Sequence, residues 1–220
     1  MWHPGPQDFV TLPRLLQSAG PFVQHLMIDG CSDKKSLSTI VSSCPNVRNL
    51  AIHLPLFYEG IELNRLLPLL QGMPRLSRLT VAILSISYDE FLTQPFLNLT
   101  HLEVMLGFTH SFWEEQCEVL TQLPKLTHIN VGSAVRADHV LKLLLLPLLI
   151  ILIVVPYYHS RPDEDLKTDD NLLVLLECHN DSARILDWER GTNGGMDTWT
   201  FSELVVLARG SEYSFGLLLT

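Results

Sequence analysis

Pro45-Asn46-Val47-Arg48-Asn49-Leu50-Ala51-Ile52 is the stretch from which the rest of the chain can be read. It has the form Pro-x-Φ-x-x-Φ-x-Φ, with Φ aliphatic, and the form recurs. Upstream stands Pro21-Phe22-Val23-Gln24-His25-Leu26-Met27-Ile28; downstream stand copies starting at Pro74, Leu97, Pro124 and Pro147. The first Φ of successive copies, Val23, Val47, Leu76, Leu99, Leu126 and Leu149, is separated by 24, 29, 23, 27 and 23 residues. The closing Φ-x-Φ is the period-2 alternation of a strand with one buried face. The proline fixes its own φ and biases the residue before it toward an extended form, which suits a turn from helix into strand. Each copy is therefore expected to supply one short strand. A degenerate seventh copy, Asp181-Ser182-Ala183-Arg184-Ile185-Leu186-Asp187-Trp188, is expected to close the array.

The segments between copies carry helix-start chemistry. Ser87-Tyr88-Asp89-Glu90, Ser111-Phe112-Trp113-Glu114 and Thr200-Phe201-Ser202-Glu203 each fit a capping box, the last opening the final helix. Strands alternating with helices at a period of about 20–29 residues predict an α/β leucine-rich-repeat solenoid. The expected form is a curved parallel sheet on the concave side, helices on the convex side, and six to seven repeats. It spans 1–220 as one domain, with an exposed polar loop over 160–170 and a capping segment over 185–220. In that segment Trp188 and Trp199 are expected to cover the apolar edge of the last repeat.

Leu143 to Tyr158 carries no charge, yet it is shorter than the roughly 20 residues of a membrane-spanning helix and is interrupted by Pro147 and Pro156. The repeat divides it into the end of a helix up to Leu146, a turn at Pro147 and a strand from Leu149 to Val154. That strand is abnormal: Ile151, Ile153 and Val155 stand where earlier copies carry polar residues. A membrane surface or a buried partner against this strand is the alternative reading.

Composition narrows the function. A net charge of −9 and scattered Lys and Arg argue against a nucleic-acid surface. Cys31, Cys44, Cys117 and Cys178 form no C-x-x-C pair, which points to reduced, mostly buried thiols. The first residues lack the basic and apolar regions of a secretory signal, so a cytoplasmic or nuclear location is expected. No G-x-S-x-G, H-E-x-x-H, phosphate-binding loop or G-x-G-x-x-G occurs, and no enzyme is expected. Gly191-Thr192-Asn193-Gly194-Gly195 reads as a turn, and Asp163-Glu164-Asp165 with Asp169-Asp170 as a solvated acidic loop. His101 and His128 occupy one position in successive copies. Without a third ligand they read as a surface ladder, so no metal or cofactor is expected.

The phrases Pro45-Asn46-Val47-Arg48-Asn49-Leu50, Leu97-Asn98-Leu99-Thr100-His101-Leu102 and Leu123-Pro124-Lys125-Leu126-Thr127-His128-Ile129 resemble the leucine-rich-repeat region of fungal, mushroom-type F-box proteins. So does the ending Ile185-Leu186-Asp187-Trp188-Glu189-Arg190-Gly191, followed by Gly194-Gly195-Met196-Asp197-Thr198-Trp199. The resemblance covers roughly residues 12–210. It implies a protein-protein interaction module that recognises the substrates of a cullin-type ubiquitin ligase. An F-box, which docks the cullin adaptor, is not recognisable ahead of Val23, so adaptor binding is not expected from these residues. A standalone scaffold or regulatory protein is the other function this fold would serve.

The copies also locate a candidate binding face, because residues flanking the aliphatic pair point away from the core. One column reads His25, Asn49, Arg78, His101 and His128; the next includes Glu103 and Asn130; a third begins with Asp29 and His53. His25, Asn49, His53, Arg78, His101, Glu103, His128 and Asn130 are the expected contacts to a protein partner. Histidines near their ordinary pKa of about 6.5 would make such a contact pH-sensitive.

Overall fold

The computed structural model describes residues 11–29, 34–53, 67–68, 70–81, 93, 95–104, 113–132, 137–155, 170, 172–176 and 181–216. The capping box at Ser87, the acidic run 163–165 and all of the 160–170 loop but Asp170 lie outside them, as do Cys31 and Cys178. Seven strands form one parallel sheet in chain order: β1 (His25–Asp29), β2 (Asn49–His53), β3 (Arg78–Val81), β4 (His101–Val104), β5 (His128–Gly132), β6 (Ile151–Val155) and β7 (Leu173–Leu175). The described residues also include α1 (Thr11–Ala19), α2 (Lys34–Ser43), α3 (Trp113–Thr121), α4 (Ala137–Leu144), α5 (Asp181–Thr192) and α6 (Thr198–Gly216).

One local device precedes each of the first six strands. The amide of the first Φ residue donates to the carbonyl three residues earlier: Val23 to Gly20, Val47 to Cys44, Leu76 to Met73, Leu99 to Phe96, Leu126 to Leu123 and Leu149 to Leu146, at 2.9–3.4 Å. In five of the six the second residue of this turn is proline, whose fixed φ suits that position and which has no N–H to leave unpaired. The turn's first residue is buried in every case, which pins the chain before it enters the sheet. Side chains reinforce the stack: Asn46 Nδ2 donates to the Pro21 carbonyl (2.7 Å) and Asn98 Nδ2 to that of Pro74 (3.1 Å).

Register follows from these turns. His25, Asn49, Arg78, His101, His128 and Ile151 pair laterally, as do Leu26, Leu50, Leu79, Leu102, Ile129, Leu152 and Leu173. The aliphatic column and its neighbour Ile28, Ile52, Val81, Val104, Val131 and Val154 enter one core cluster, joined by Leu37, Val41, Leu70, Val119, Leu120, Val140 and Leu143 from the intervening segments. Leu26, at the edge, is only partly buried. Cys44 and Cys117 are buried, and burial raises the pKa of Cys44, so that thiol is held protonated.

The C-terminal third departs from expectation in two places. The seventh strand is Leu173–Leu175, paired with β6, and Asp181 to Trp188, expected as a strand, lies in α5. In Asp181 to Trp188, Ile185 and Trp188 stand three apart, as do Ala183 and Leu186, which is helical spacing, whereas Leu172-Leu173-Val174-Leu175-Leu176 is a continuous apolar run fit for a strand covered on both faces. The final helix also starts earlier than the Thr200 capping box: Asp197 is its N-cap, its carboxylate accepting from the Thr200 amide (2.8 Å) and hydroxyl (2.7 Å). No described helix is long and apolar enough to cross a membrane. Leu143 to Val155 is the end of α4, a turn and β6.

Candidate functional site

On the sheet face opposite the main core, side chains from alternate positions of β2 to β7 meet α5 and α6 instead of solvent. Trp188 and Trp199, expected at the edge of the array, lie on this face. The reason is the apolar patch of Ile151, Ile153, Val155 and Val174, all at most 6% exposed, against which Trp199, Val205, Val206 and Leu176 pack. Leaving it open would expose branched aliphatic surface to water, so the chain's own helix closes it. Arg209 adds a hydrogen bond from Nη1 to the Leu173 carbonyl (2.6 Å).

The helices are held in place by the residues of the closing phrase. α5 ends in a Schellman arrangement: Gly195 N–H donates to the Arg190 carbonyl (2.9 Å) and Gly194 N–H to that of Gly191 (3.1 Å), with Gly194 at φ +75°. Gly191 lies so close to Asp197 that a Cβ there would collide with its carboxylate. Both oxygens of Asp187 accept from the Thr198 amide (3.0 and 3.1 Å), tying the first turn of α6 to α5. From this hairpin, polar groups reach down to the sheet. Trp188 Nε1 donates to Asn49 Oδ1 (3.3 Å), Arg78 pairs with Asp197 (3.7 Å), and Arg184 pairs with Glu103 (3.8 Å).

We expect Asp197→Ala to cost about 1–2 kcal/mol in urea denaturation, the usual range for a lost N-cap. Its pair with Arg78, which is 39% exposed, adds little because solvent screens it. Asp197→Asn keeps an N-cap acceptor and should recover most of the loss. Equal destabilisation by the two variants would assign the effect to the ion pair instead.

The candidate binding residues are thus brought together in register, but not as one open surface. His25 is exposed, Asn49 and Arg78 are half-buried, and His101, His128 and Asn130 are buried. The surface ladder expected of His101 and His128 is corrected to an enclosed stack, rings parallel within 8° and centroids 4.1 Å apart, with Trp199 edge-on to both. His53 ends β2; its side chain lies outside the described ones. Asn130 Nδ2 donates to Glu103 Oε1 (3.1 Å), whose Oε2 accepts from Thr80 Oγ1 (3.0 Å). Burial drives the Glu103 pKa upward against the opposing pull of Arg184.

Nor do the histidines keep ordinary pKa values. Burial lowers His101 to about 2, helped by His128 and Arg78. Burial also lowers His128, against the upward pull of Glu203, and His25 is lowered by burial and then by Arg78 and Arg48. All three are thus shifted below the ordinary imidazole value, away from a contact centred near 6.5. A cavity of about 50 Å³, room for a few water molecules, remains under the hairpin between Arg78, Glu103, Asn130, Arg184, Asp187 and Trp199.

Sequence reasoning named the columns but missed their cover. Glu203, hydrogen-bonded to His128 across 75 residues (3.1 Å), belongs to no copy of the pattern. The legible signal was the anomalous Ile151, Ile153 and Val155. Fold and site together define an α/β protein with a parallel seven-stranded sheet, one face packed on helices and the other closed by a C-terminal helical hairpin. No family model, curated protein or solved structure matches the chain.

Proposed function

We propose that the chain is a leucine-rich-repeat solenoid acting as a protein-binding module, of the kind F-box proteins use to recruit substrates. The strand order, the register and the turn before each of the first six strands support the solenoid reading. The binding surface moves, however, from the sheet columns to the cover laid over them. The observation that carries this is the outward face of α6, where Phe201, Leu204 and Leu207 recur at three-residue spacing and are 45%, 49% and 68% exposed. Large apolar side chains on one helix stripe, left in water, mark an interaction surface. The polar columns then serve to seat that helix, with His25 and Asp29 at the open edge of β1 as the rim.

Affinity capture followed by mass spectrometry, on wild type and on Leu204→Glu/Leu207→Glu, tests this. We expect the double variant to lose captured partners about tenfold or more, as for central anchors of an interface, with an unchanged melting temperature. Arg78→Ala/His101→Ala, by contrast, should lower stability before it affects capture. Undiminished capture by the stripe variant overturns the reading. Recovery of a cullin adaptor supports the ubiquitin-ligase role; specific partners without it favour the standalone scaffold.

A further inference from the structure

Each of the stacked histidines has a threonine hydroxyl at its Nδ1. Thr100 Oγ1 lies 3.0 Å from the Ser77 carbonyl and 2.8 Å from His101 Nδ1; with its single hydrogen on the carbonyl, it accepts from a protonated Nδ1. Thr127 Oγ1 stands in the same way 3.2 Å from the Thr100 carbonyl and 2.7 Å from His128 Nδ1. In that tautomer each Nδ1 carries the proton, and each Nε2 of the neutral ring is a bare lone pair.

His101 Nε2 is badly served by protein alone. His101 is 8% exposed, and its Nε2 is a buried atom with no hydrogen-bond partner. His128 Nε2 faces Glu203 Oε1 at 3.1 Å, a hydrogen bond when Nε2 carries the ring's proton and a place for a cation when it does not. Ligand atoms of His101, His128 and Glu203 all lie within 4.8 Å of one another.

We propose that His101 Nε2, His128 Nε2 and the Glu203 carboxylate form a binding site for a divalent transition-metal ion of the zinc type. Two neutral imidazoles and one carboxylate are a donor set this ion accepts, leaving a fourth position for water or an incoming ligand. The Thr100 and Thr127 hydroxyls supply what metal-bound histidines ordinarily have, an acceptor on the far ring nitrogen that fixes tautomer and orientation. Tetrahedral binding at about 2.0–2.1 Å sets ligand atoms roughly 3.3 Å apart. The site must contract by about an ångström or more, and the near-parallel rings must tilt toward each other about χ2, a soft torsion in histidine. Of the neighbouring charges, Glu203 favours a cation beside His128, and Arg78 opposes one. Because Glu203 comes from α6, the ion would bridge the sheet to the hairpin and lock the cover down.

The test is titration of the full chain with Zn²⁺ by calorimetry and with Co²⁺ by visible absorption. Wild type should bind one ion and give the ligand-field bands of a four- or five-coordinate N/O site. Glu203→Gln and His101→Ala should each abolish those bands, and Thr100→Val should weaken binding about 10–100-fold, the usual effect of removing an outer-shell partner. His25→Ala, outside the site, should bind as wild type. Circular dichroism keeps a folding failure separate. If a variant does not fold, ¹⁵N shifts of the wild-type imidazoles decide: both bare Nε2 signals should move on addition of Zn²⁺. Unmoved Nε2 signals, or unchanged Co²⁺ bands in Glu203→Gln, overturn the proposal.

Discussion

Leu102→Asp should leave the chain largely unfolded at room temperature. Leu102 is fully buried at the middle of the aliphatic column, between Leu79 of β3 and Ile129 of β5, with its side chain in the main core cluster. A carboxylate there finds no cation and no donor among aliphatic neighbours. Either it stays charged at a cost of several kcal/mol or it takes up a proton and still leaves its oxygens unpaired. The expected loss is at least about 4–5 kcal/mol, against a total stability of about 5–15 kcal/mol for a domain. Leu102→Ala removes the side chain without adding charge and should cost about 2–5 kcal/mol. Urea denaturation followed by circular dichroism measures both. An aspartate variant melting within a degree or two of wild type would show that this column does not face the core.

Six strands, their lateral pairing and the identity of the core were legible because each is fixed locally. A proline turn with its buried first residue sets the phase, and a strand's strict alternation then assigns every side chain to a face. Leu173–Leu175 was missed for the same reason: no proline turn introduces it, and its apolar run has no alternation to read. Asp181 to Trp188 was misplaced because Ile185-Leu186-Asp187-Trp188 imitates part of the pattern while its spacing serves a helix; in the fold, Asp187 holds the Thr198 amide and Trp188 holds Asn49. The candidate site was half legible. Its columns follow from register, but the partner that covers them is the chain itself, and contacts such as His128 to Glu203 join residues far apart in sequence, which no local period encodes. Ile151, Ile153 and Val155 did signal a cover. Periodicity shows that such a face must be buried, not what buries it.

Removing α5 and α6 tests that last relation directly. A chain ending after Asn180 lacks Trp199, Val205 and Val206, and so bares Ile151, Ile153, Val155 and Val174 on β6 and β7. Burying a side chain of this size contributes about 1.5–3 kcal/mol, so the four together approach the stability of a whole domain. Arg78 and Glu103 would lose Asp197 and Arg184, but these groups can be hydrated once exposed, and the aliphatic patch cannot. We expect the truncated chain to aggregate or to fail to express in soluble form. Trp199→Ala in the full chain is the graded version. Trp199 is only partly buried, so the loss should be about 2–3 kcal/mol, below the roughly 3–5 kcal/mol typical of a fully enclosed large aromatic residue. Binding of a hydrophobic dye should rise in Trp199→Ala, and amide exchange should quicken in β6 and β7 while β1 to β3 stay protected, because loosening the hairpin opens that end of the sheet first. A monomeric, dye-silent truncation would mean that β6 and β7 are covered by something other than α6, and the hairpin's place on the sheet would have to be abandoned.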